Sequence, residues 1–196
     1  SQAAAINLGI KLAKGQWITW QNADDFYTSK NSFSYLNDSI KKNTKKKIHL
    51  GNILIVDKDS IKISNLVYST PNFYSLLYED MTLSNQALIW HKDINKKIGY
   101  LIDTRVNFDY EWFLRVLKNF PDAGVHFNKL VGSYRAHEGQ KTSKKNHREL
   151  MQIKNIKFKY NFNLIIKIII LPYLKIKKLI YLLRNKEYKY IINKFF

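Results

Sequence analysis

The sequence predicts an α/β domain over residues 1–143 and a basic α-helical extension over residues 144–196. Three observations carry this reading. A helix-forming stretch, a glycine and a short aromatic, β-branched run lead into an acidic pair, Asp24-Asp25. Residues 51–63 read as two apolar strands around a polar turn. The last quarter interleaves lysines with Ile, Leu, Phe and Tyr, as amphipathic helices do.

The first helix is expected from small or apolar residues at Ala5, Leu8, Leu12 and Ala13, with Gly15 placed as a left-handed C-terminal cap. Trp17, Ile18, Thr19 and Trp20 then read as a short buried strand. Asp24 and Asp25 fall just beyond its C-terminal end, where open α/β sheets bind ligands. Two adjacent carboxylates there offer hard oxygen donors for Mg2+ or Mn2+ against a diphosphate. A structural alternative is open at this point: Asp25 as the N-cap of a helix expected over residues 26–41.

In the segment Ser84-Asn85-Gln86-Ala87-Leu88-Ile89-Trp90-His91-Lys92, Gln86 by itself reads as an ordinary polar residue on a strand edge. A helix is expected from Asp109 to Lys118, with a core face of Trp112, Phe113, Val116 and Leu117 and with Asp109 as its N-cap. A carboxylate there could also take the proton of an attacking hydroxyl. In Gly132-Ser133-Tyr134-Arg135-Ala136-His137-Glu138-Gly139-Gln140-Lys141-Thr142, Arg135 could fork onto phosphate oxygens and neutral His137 could ligate a metal or contact a diphosphate, though by themselves a loop Arg and His more often face solvent alone.

His49, His91, His126 and His147 show no metal-ligand spacing, and the absence of cysteine excludes disulfides and thiolate metal sites. There is no Gly-rich phosphate loop and no Gly-x-Ser-x-Gly nucleophile turn. With 45% hydrophobic residues in 196, the chain can bury a substantial core and is not disordered by composition.

Formal net charge is +18, and residues 151–196 hold 11 Lys plus Arg, from Lys154 to Lys194, against the single acidic Glu187. Basic and apolar faces on one helix suit an anionic membrane surface. The most apolar run, residues 164–174, contains Lys167 and Pro172 and is too short for a bilayer span. Pro172 is expected to separate two helices. Helices packed on the domain with merely solvated lysines are the alternative. A basic chain with interleaved aromatics also suits nucleic acid, but no helix-turn-helix, zinc-finger or RNP signature accompanies it.

Residues 7–27 resemble the centre of a family 2 glycosyltransferase domain of the GT-A fold, in the subgroup with the motif Trp-x-Asn-Ala-Asp-Asp. Asn22-Ala23-Asp24-Asp25 is similar to the family's Asp-x-Asp motif, with Asn22 in place of the first Asp. Asn107-Phe108-Asp109-Tyr110-Glu111-Trp112-Phe113-Leu114-Arg115 is similar to its Asp-Tyr-Glu-x-x-x-Arg segment, with Phe108 where many relatives carry Glu. The run from Arg135 to Thr142 resembles its Arg-x-His-x-x-x-x-Thr loop.

The resemblance implies a partial Rossmann-like mixed sheet flanked by helices and an inverting, metal-dependent transfer of sugar from a nucleotide-sugar donor to a glycan or lipid-linked acceptor. It implies Asp109 as catalytic base, and Asn22, Asp24, Asp25, Arg135 and His137 around the donor diphosphate. Asp24, Asp25 and His137 would hold Mg2+ or Mn2+, and Gln86 and Trp112 would lie on the acceptor side. The expected setting is cell-surface polysaccharide synthesis, in the cytoplasm or peripherally on the inner face of the cell membrane, with no nucleic acid partner. The family places several strands before the position of Ser1, so the resemblance also implies that the first part of the nucleotide-binding sheet is missing. A non-catalytic binding module of the same fold is the alternative.

Overall fold

The computed structural model of the chain describes residues 1–79, 81–104, 106–137 and 147–195. Its centre is β2, Ile48–Val56, which is buried along nearly its whole length. Such a run of apolar residues suits a strand with neighbours on both edges and packing on both faces. One edge of β2 pairs in parallel with β5, Gly124–Arg135. Its other edge pairs antiparallel with β4, Leu88–His91, over its first half and with β3, Lys62–Leu66, over its second. The two-residue β1, Trp17–Ile18, pairs antiparallel with β4. The result is one mixed five-stranded sheet.

The expected hairpin is present between β2 and β3. Its turn is closed by Asp57 Oδ1, which accepts from the amides of Asp59 and Ile61. Helix α5, Phe108–Asn119, buries the expected face of Trp112, Phe113, Val116 and Leu117. Trp112 stands edge-on to Trp90 of β4 and to Trp20, with ring centroids 5.0 and 6.2 Å apart. The N-cap of α5 is Asn107 in the left-handed region (φ 59°), so Asp109 lies inside the first turn instead of capping it. Asn is one of the few residues that enter this region readily.

Several local expectations are corrected. Helix α1, Gln2–Leu12, turns Ala3 and Ile10 inward and leaves Leu8 and Leu12 exposed. Asn7 decides this orientation by bonding the backbone of Leu101 in both directions. The chain leaves α1 extended at Ala13, so Gly15 needs no left-handed conformation. The strand expected at residues 17–20 is shortened to Trp17–Ile18.

The helix expected over residues 26–41 is present only from Ser32 onward. Residues 26–28 extend the sheet along the free edge of β5, through Ser133 N to Phe26 O (2.8 Å) and Thr28 N to Val131 O (2.9 Å). Helix α2, Ser32–Lys42, begins only after this pairing ends, with Asn31 and not Asp25 at its N-cap position.

Between β3 and β4 lie α3, Phe73–Glu79, and a short 3-10 turn, Asn85–Ala87, which carries Gln86 ahead of the strand and not on its edge. Helix α4, Asp93–Ile98, follows β4. The boundary expected at residues 143 and 144, and the Thr142 end of the Arg-x-His motif, lie outside the described residues, as does the side chain of Lys194.

The C-terminal helices are α6, His147–Lys159, α7, Leu164–Arg184, and α8, Tyr188–Phe195. They pack on the sheet domain. Ile156, Tyr160 and Leu174 belong to the same core as Leu50 and Trp90, and Leu182 and Ile191 close over Val67. Helix α7 runs unbroken through Pro172, contrary to the expected separation. Pro172 is exposed, so water can satisfy the carbonyl that loses its helical partner. Among the described residues no helix is long and apolar enough to cross a membrane.

A buried polar chain ties α7 to the sheet. His126 Nε2–H donates to Asn52 Oδ1 (2.7 Å), while His126 Nδ1 accepts from the Tyr181 hydroxyl (2.5 Å). Asn52 Oδ1 also accepts from Tyr68 N, and Asn52 donates through Asn128 toward Glu187. His49 is equally enclosed, between Ser39 Oγ at 2.8 Å and the Lys46 carbonyl at 3.3 Å. Burial holds both imidazoles neutral and lowers each pKa to about 4; the nearby Lys178 charge adds to the effect at His126.

Because the folded pKa values lie below the ordinary value of about 6.5, the unfolded chain binds more protons between the two. Stability is therefore complete above about pH 6.5 and falls as pH drops toward 4, by about 3 kcal/mol per histidine as an order of magnitude. Urea unfolding at a series of pH values is expected to show this loss, and His126→Gln, which keeps an N–H donor without the titration, is expected to remove about half of it, the share of His49 remaining. A flat profile for the unsubstituted chain would contradict neutral burial of these rings.

Candidate functional site

The pairing of residues 26–28 with β5 fixes where the acidic pair stands. Ser133 Oγ reinforces it by accepting from Phe26 N and donating to Phe26 O. One residue earlier, Asp25 Oδ1 accepts from the Arg135 amide at 3.1 Å. Its Oδ2 accepts from Gln86 Nε2 at 2.7 Å and from Asn22 Nδ2 at 2.8 Å. Asn22 Oδ1 in turn accepts from Gln2 Nε2 of α1 (3.1 Å). Asp25 is thus held by donors from three separate segments.

Gln86 reaches Asp25 because its turn lies directly against β5. Gly132 permits this approach: a Cβ at position 132 would collide with the Gln86 carbonyl. Gln21 Nε2 donates to that same carbonyl (2.8 Å), and Ser84 Oγ donates to Gln86 Oε1, so the turn is fixed on both sides.

Asp24 points elsewhere. Its Oδ2 accepts from His137 Nε2 at 3.1 Å, and both side chains are partly open to solvent. Arg135 steadies the backbone beneath them: its Nε donates to the Asp24 carbonyl, and its Nη1 to the Lys58 carbonyl and Ser60 Oγ of the β2–β3 turn. The guanidinium also lies over the Phe26 ring.

Asp24, Asp25, Gln86, Asp109 and His137 all line one cavity of about 670 Å3. Asn22 lines it too. Asp109 is half-buried there, and burial raises its carboxyl above the ordinary carboxylate range, with the Tyr110 amide on Oδ1 (2.8 Å) acting in the opposite direction.

Two expected site residues are placed otherwise. Trp112 is in the core, and Trp20, packed against it, reaches the cavity wall in its stead. Arg135 is not on that wall and serves the backbone contacts just described.

Other wall residues had no sequence signal of their own. Gln2, Tyr68, Asn85, Asn107 and Tyr134 come from five different stretches that only the topology brings together. Asn85 Nδ2 and Asn107 Nδ2 are buried without a hydrogen-bond partner among the described residues. A motif-based reading could have noticed Asn107, which sits two residues before Asp109.

Among the described residues no cluster of three His, Asp or Glu side chains suited to a metal ion occurs. A carboxylate and an imidazole are donor types that Mg2+ or Mn2+ accepts, but Asp24 Oδ2 and His137 Nε2 stand 3.1 Å apart as acceptor and donor of a hydrogen bond, so Nε2 would have to give up its proton before it bound an ion. Asp25, expected as a second carboxylate ligand, already accepts three hydrogen bonds and acts as the anchor of the loop.

No family sequence model matches the chain, and no curated protein matches it by sequence. Solved structures do. A crystal structure of S. aureus TarS 1-349 in complex with UDP-GlcNAc aligns over 77% of the chain at 16% identity, with a TM-score of 0.56. A second structure of S. aureus TarS 1-349 aligns over 69% at 15% identity, with a TM-score of 0.53. The chain spans 44% and 40% of those two chains, less than half their length. The likeness shows the fold alone, which is GT-A-like.

Gly132→Ala is expected to lower stability by about 1–3 kcal/mol, the usual cost of inserting atoms into a packed site, and to lower the thermal unfolding midpoint accordingly. An unchanged midpoint would show that the Gln86 turn is free to shift and that Asp25 does not depend on it.

Proposed function

We propose that the chain is part of an inverting glycosyltransferase of the family 2 type, moving a sugar from a nucleotide-sugar donor to a hydroxyl of a glycan or lipid-linked acceptor. One observation carries the reading: Asp24, His137 and Asp109, far apart in sequence, face one cavity in a GT-A-like fold. The TarS structure in complex with UDP-GlcNAc makes UDP sugars the first donors to try.

Asp24 and His137 would hold Mg2+ or Mn2+ on the diphosphate side. When bound, the ion supplies positive charge that stabilises the departing nucleoside diphosphate. Asn22, Gln86 and the Arg135 amide keep Asp25 fixed, and with it the backbone that aims Asp24. The unpartnered amides of Asn85 and Asn107 are suited to sugar hydroxyls, since a buried donor left unpaired is costly and gains from a ligand oxygen.

Asp109 takes the proton of the acceptor hydroxyl as its oxygen attacks the anomeric carbon. The new glycosidic C–O bond forms as the bond to the diphosphate breaks on the opposite face, which inverts the anomeric configuration. A base works best with a pKa near the operating pH, and burial moves Asp109 in that direction.

Asp109→Asn is expected to lower turnover by about 10²–10⁴-fold, the usual contribution of a general base, with donor affinity unchanged by calorimetry. Asp24→Asn is expected to abolish Mn2+-dependent donor binding. Turnover should rise with pH through a pKa above the ordinary carboxylate range, because Asp109 acts only when ionised. Loss of donor binding in the Asp109 variant and its retention in the Asp24 variant would exchange the two roles; retained turnover in both would remove them.

A further inference from the structure

Helix α7 has two unlike faces. Leu174, Tyr181 and Leu182 turn toward the domain. On the opposite side, Ile165, Ile169, Tyr173, Ile176, Ile180 and Leu183 recur at spacings of three and four residues and form one continuous apolar stripe. These are not marginal exposures: Ile165, Ile169 and Ile176 are 69%, 72% and 57% exposed. The helix has 21 residues, so the stripe is about 30 Å long at 1.5 Å per residue. An apolar patch of this extent on a soluble domain marks an interaction surface.

Charge identifies the occupant. On the helix wheel Lys175 borders the stripe on one side, with Lys177 and Arg184 on the other, and all three are exposed. No acidic residue occurs between residues 150 and 186. A second copy docking stripe to stripe would set these cations against their equivalents with nothing on α7 to offset them. An anionic bilayer surface meets both features at once: acyl chains accept the isoleucines and lipid phosphates accept the lysines. Helix α7 is long enough to span, but Lys167, Lys175, Lys177, Lys178 and Arg184 lie along it, and among the described residues no helix is long and apolar enough to cross a membrane.

We propose that α7 lies in the plane of an anionic lipid bilayer, with the Ile165–Ile169–Ile176 face inserted at the headgroup boundary and Lys175, Lys177 and Arg184 on lipid phosphates. The packing of α7 on the sheet through Leu174 and His126 makes the whole domain ride on the membrane by this face. This proposal is independent of the sugar-transfer reading.

The test is flotation of the full chain with phosphatidylcholine vesicles, with and without phosphatidylglycerol, at low and high salt. The expected result is binding that requires phosphatidylglycerol and weakens with salt. Ile169→Ser with Ile176→Ser is expected to reduce binding by at least about tenfold, because each removes a side chain from the lipid, with the thermal midpoint unchanged since both residues are exposed. Lys175→Gln with Lys177→Gln is expected to reduce it about fivefold per lysine. No binding to the anionic vesicles overturns the proposal, as does equal binding of the isoleucine variant. Sedimentation in the absence of lipid supplies the remaining outcome: self-association abolished by the isoleucine substitutions, without vesicle binding, assigns the stripe to a second copy and overturns it as well.

Discussion

Everything at the candidate site hangs on the seating of one carboxylate, that of Asp25. Its oxygens take hydrogen bonds from the loop side chain of Asn22, from Gln86 ahead of β4 and from the Arg135 amide at the end of β5. A charged acceptor with neutral donors makes bonds stronger than ordinary neutral pairs. The three donors approach along different directions, so together they fix the orientation of the loop. The consequence is a division of labour within the acidic pair. Asp25 has its oxygens occupied by three hydrogen bonds, whereas its neighbour Asp24 points toward His137 with oxygen surface still open.

That seating depends in turn on steric permission. Gln86 can meet Asp25 only where β5 has no Cβ, at Gly132, and residues 26–28 can run beside β5 only because its outer edge is free of another strand. The parallel pairing of β2 with β5 over the full length of β2 supplies the rigid support for both contacts. Trp20, wedged against Trp90 and Trp112, supports the same loop from the core side.

Chemistry was more legible in the sequence than geometry. The acidic motif, Gln86, Asp109 and His137 stand out through the resemblance of their segments to family motifs, and the structure gathers them around one cavity. Local conformation was less so. A helix over residues 26–41 is what propensity favours, but β-pairing with residues 131–133 overrides it for the first residues. The inward face of α1 is not legible from hydropathy, since Leu8 and Leu12 stay exposed while the polar Asn7, bonded to Leu101, determines which side turns inward. Arg135 reads as a phosphate ligand when only its charge is considered; its actual partners are carbonyls at Asp24 and Lys58, contacts between segments that no spacing rule connects. The buried histidines carried no signal at all, since neutral burial is produced by neighbours distant in sequence.

The C-terminal helices connect to the cavity through a short path. Tyr68 lies on the cavity wall, and its amide donates to Asn52, which accepts from His126, which accepts from Tyr181 of α7. Next to Tyr68, Val67 is enclosed by Leu182 of α7 and Ile191 of α8. Each link is hydrogen-bonded and Tyr68, Asn52 and His126 are buried, so α7 cannot tilt or slide without breaking a satisfied polar group, at a cost of about 1–3 kcal/mol per buried group left unpaired. Helix α7 is therefore a fixed outer wall of the domain and not a tethered tail. Whatever its exposed isoleucines rest upon acquires a defined orientation relative to the cavity, and an acceptor carried in a membrane would meet the Asp109 carboxylate from a direction set by the fold and not by diffusion of a flexible anchor.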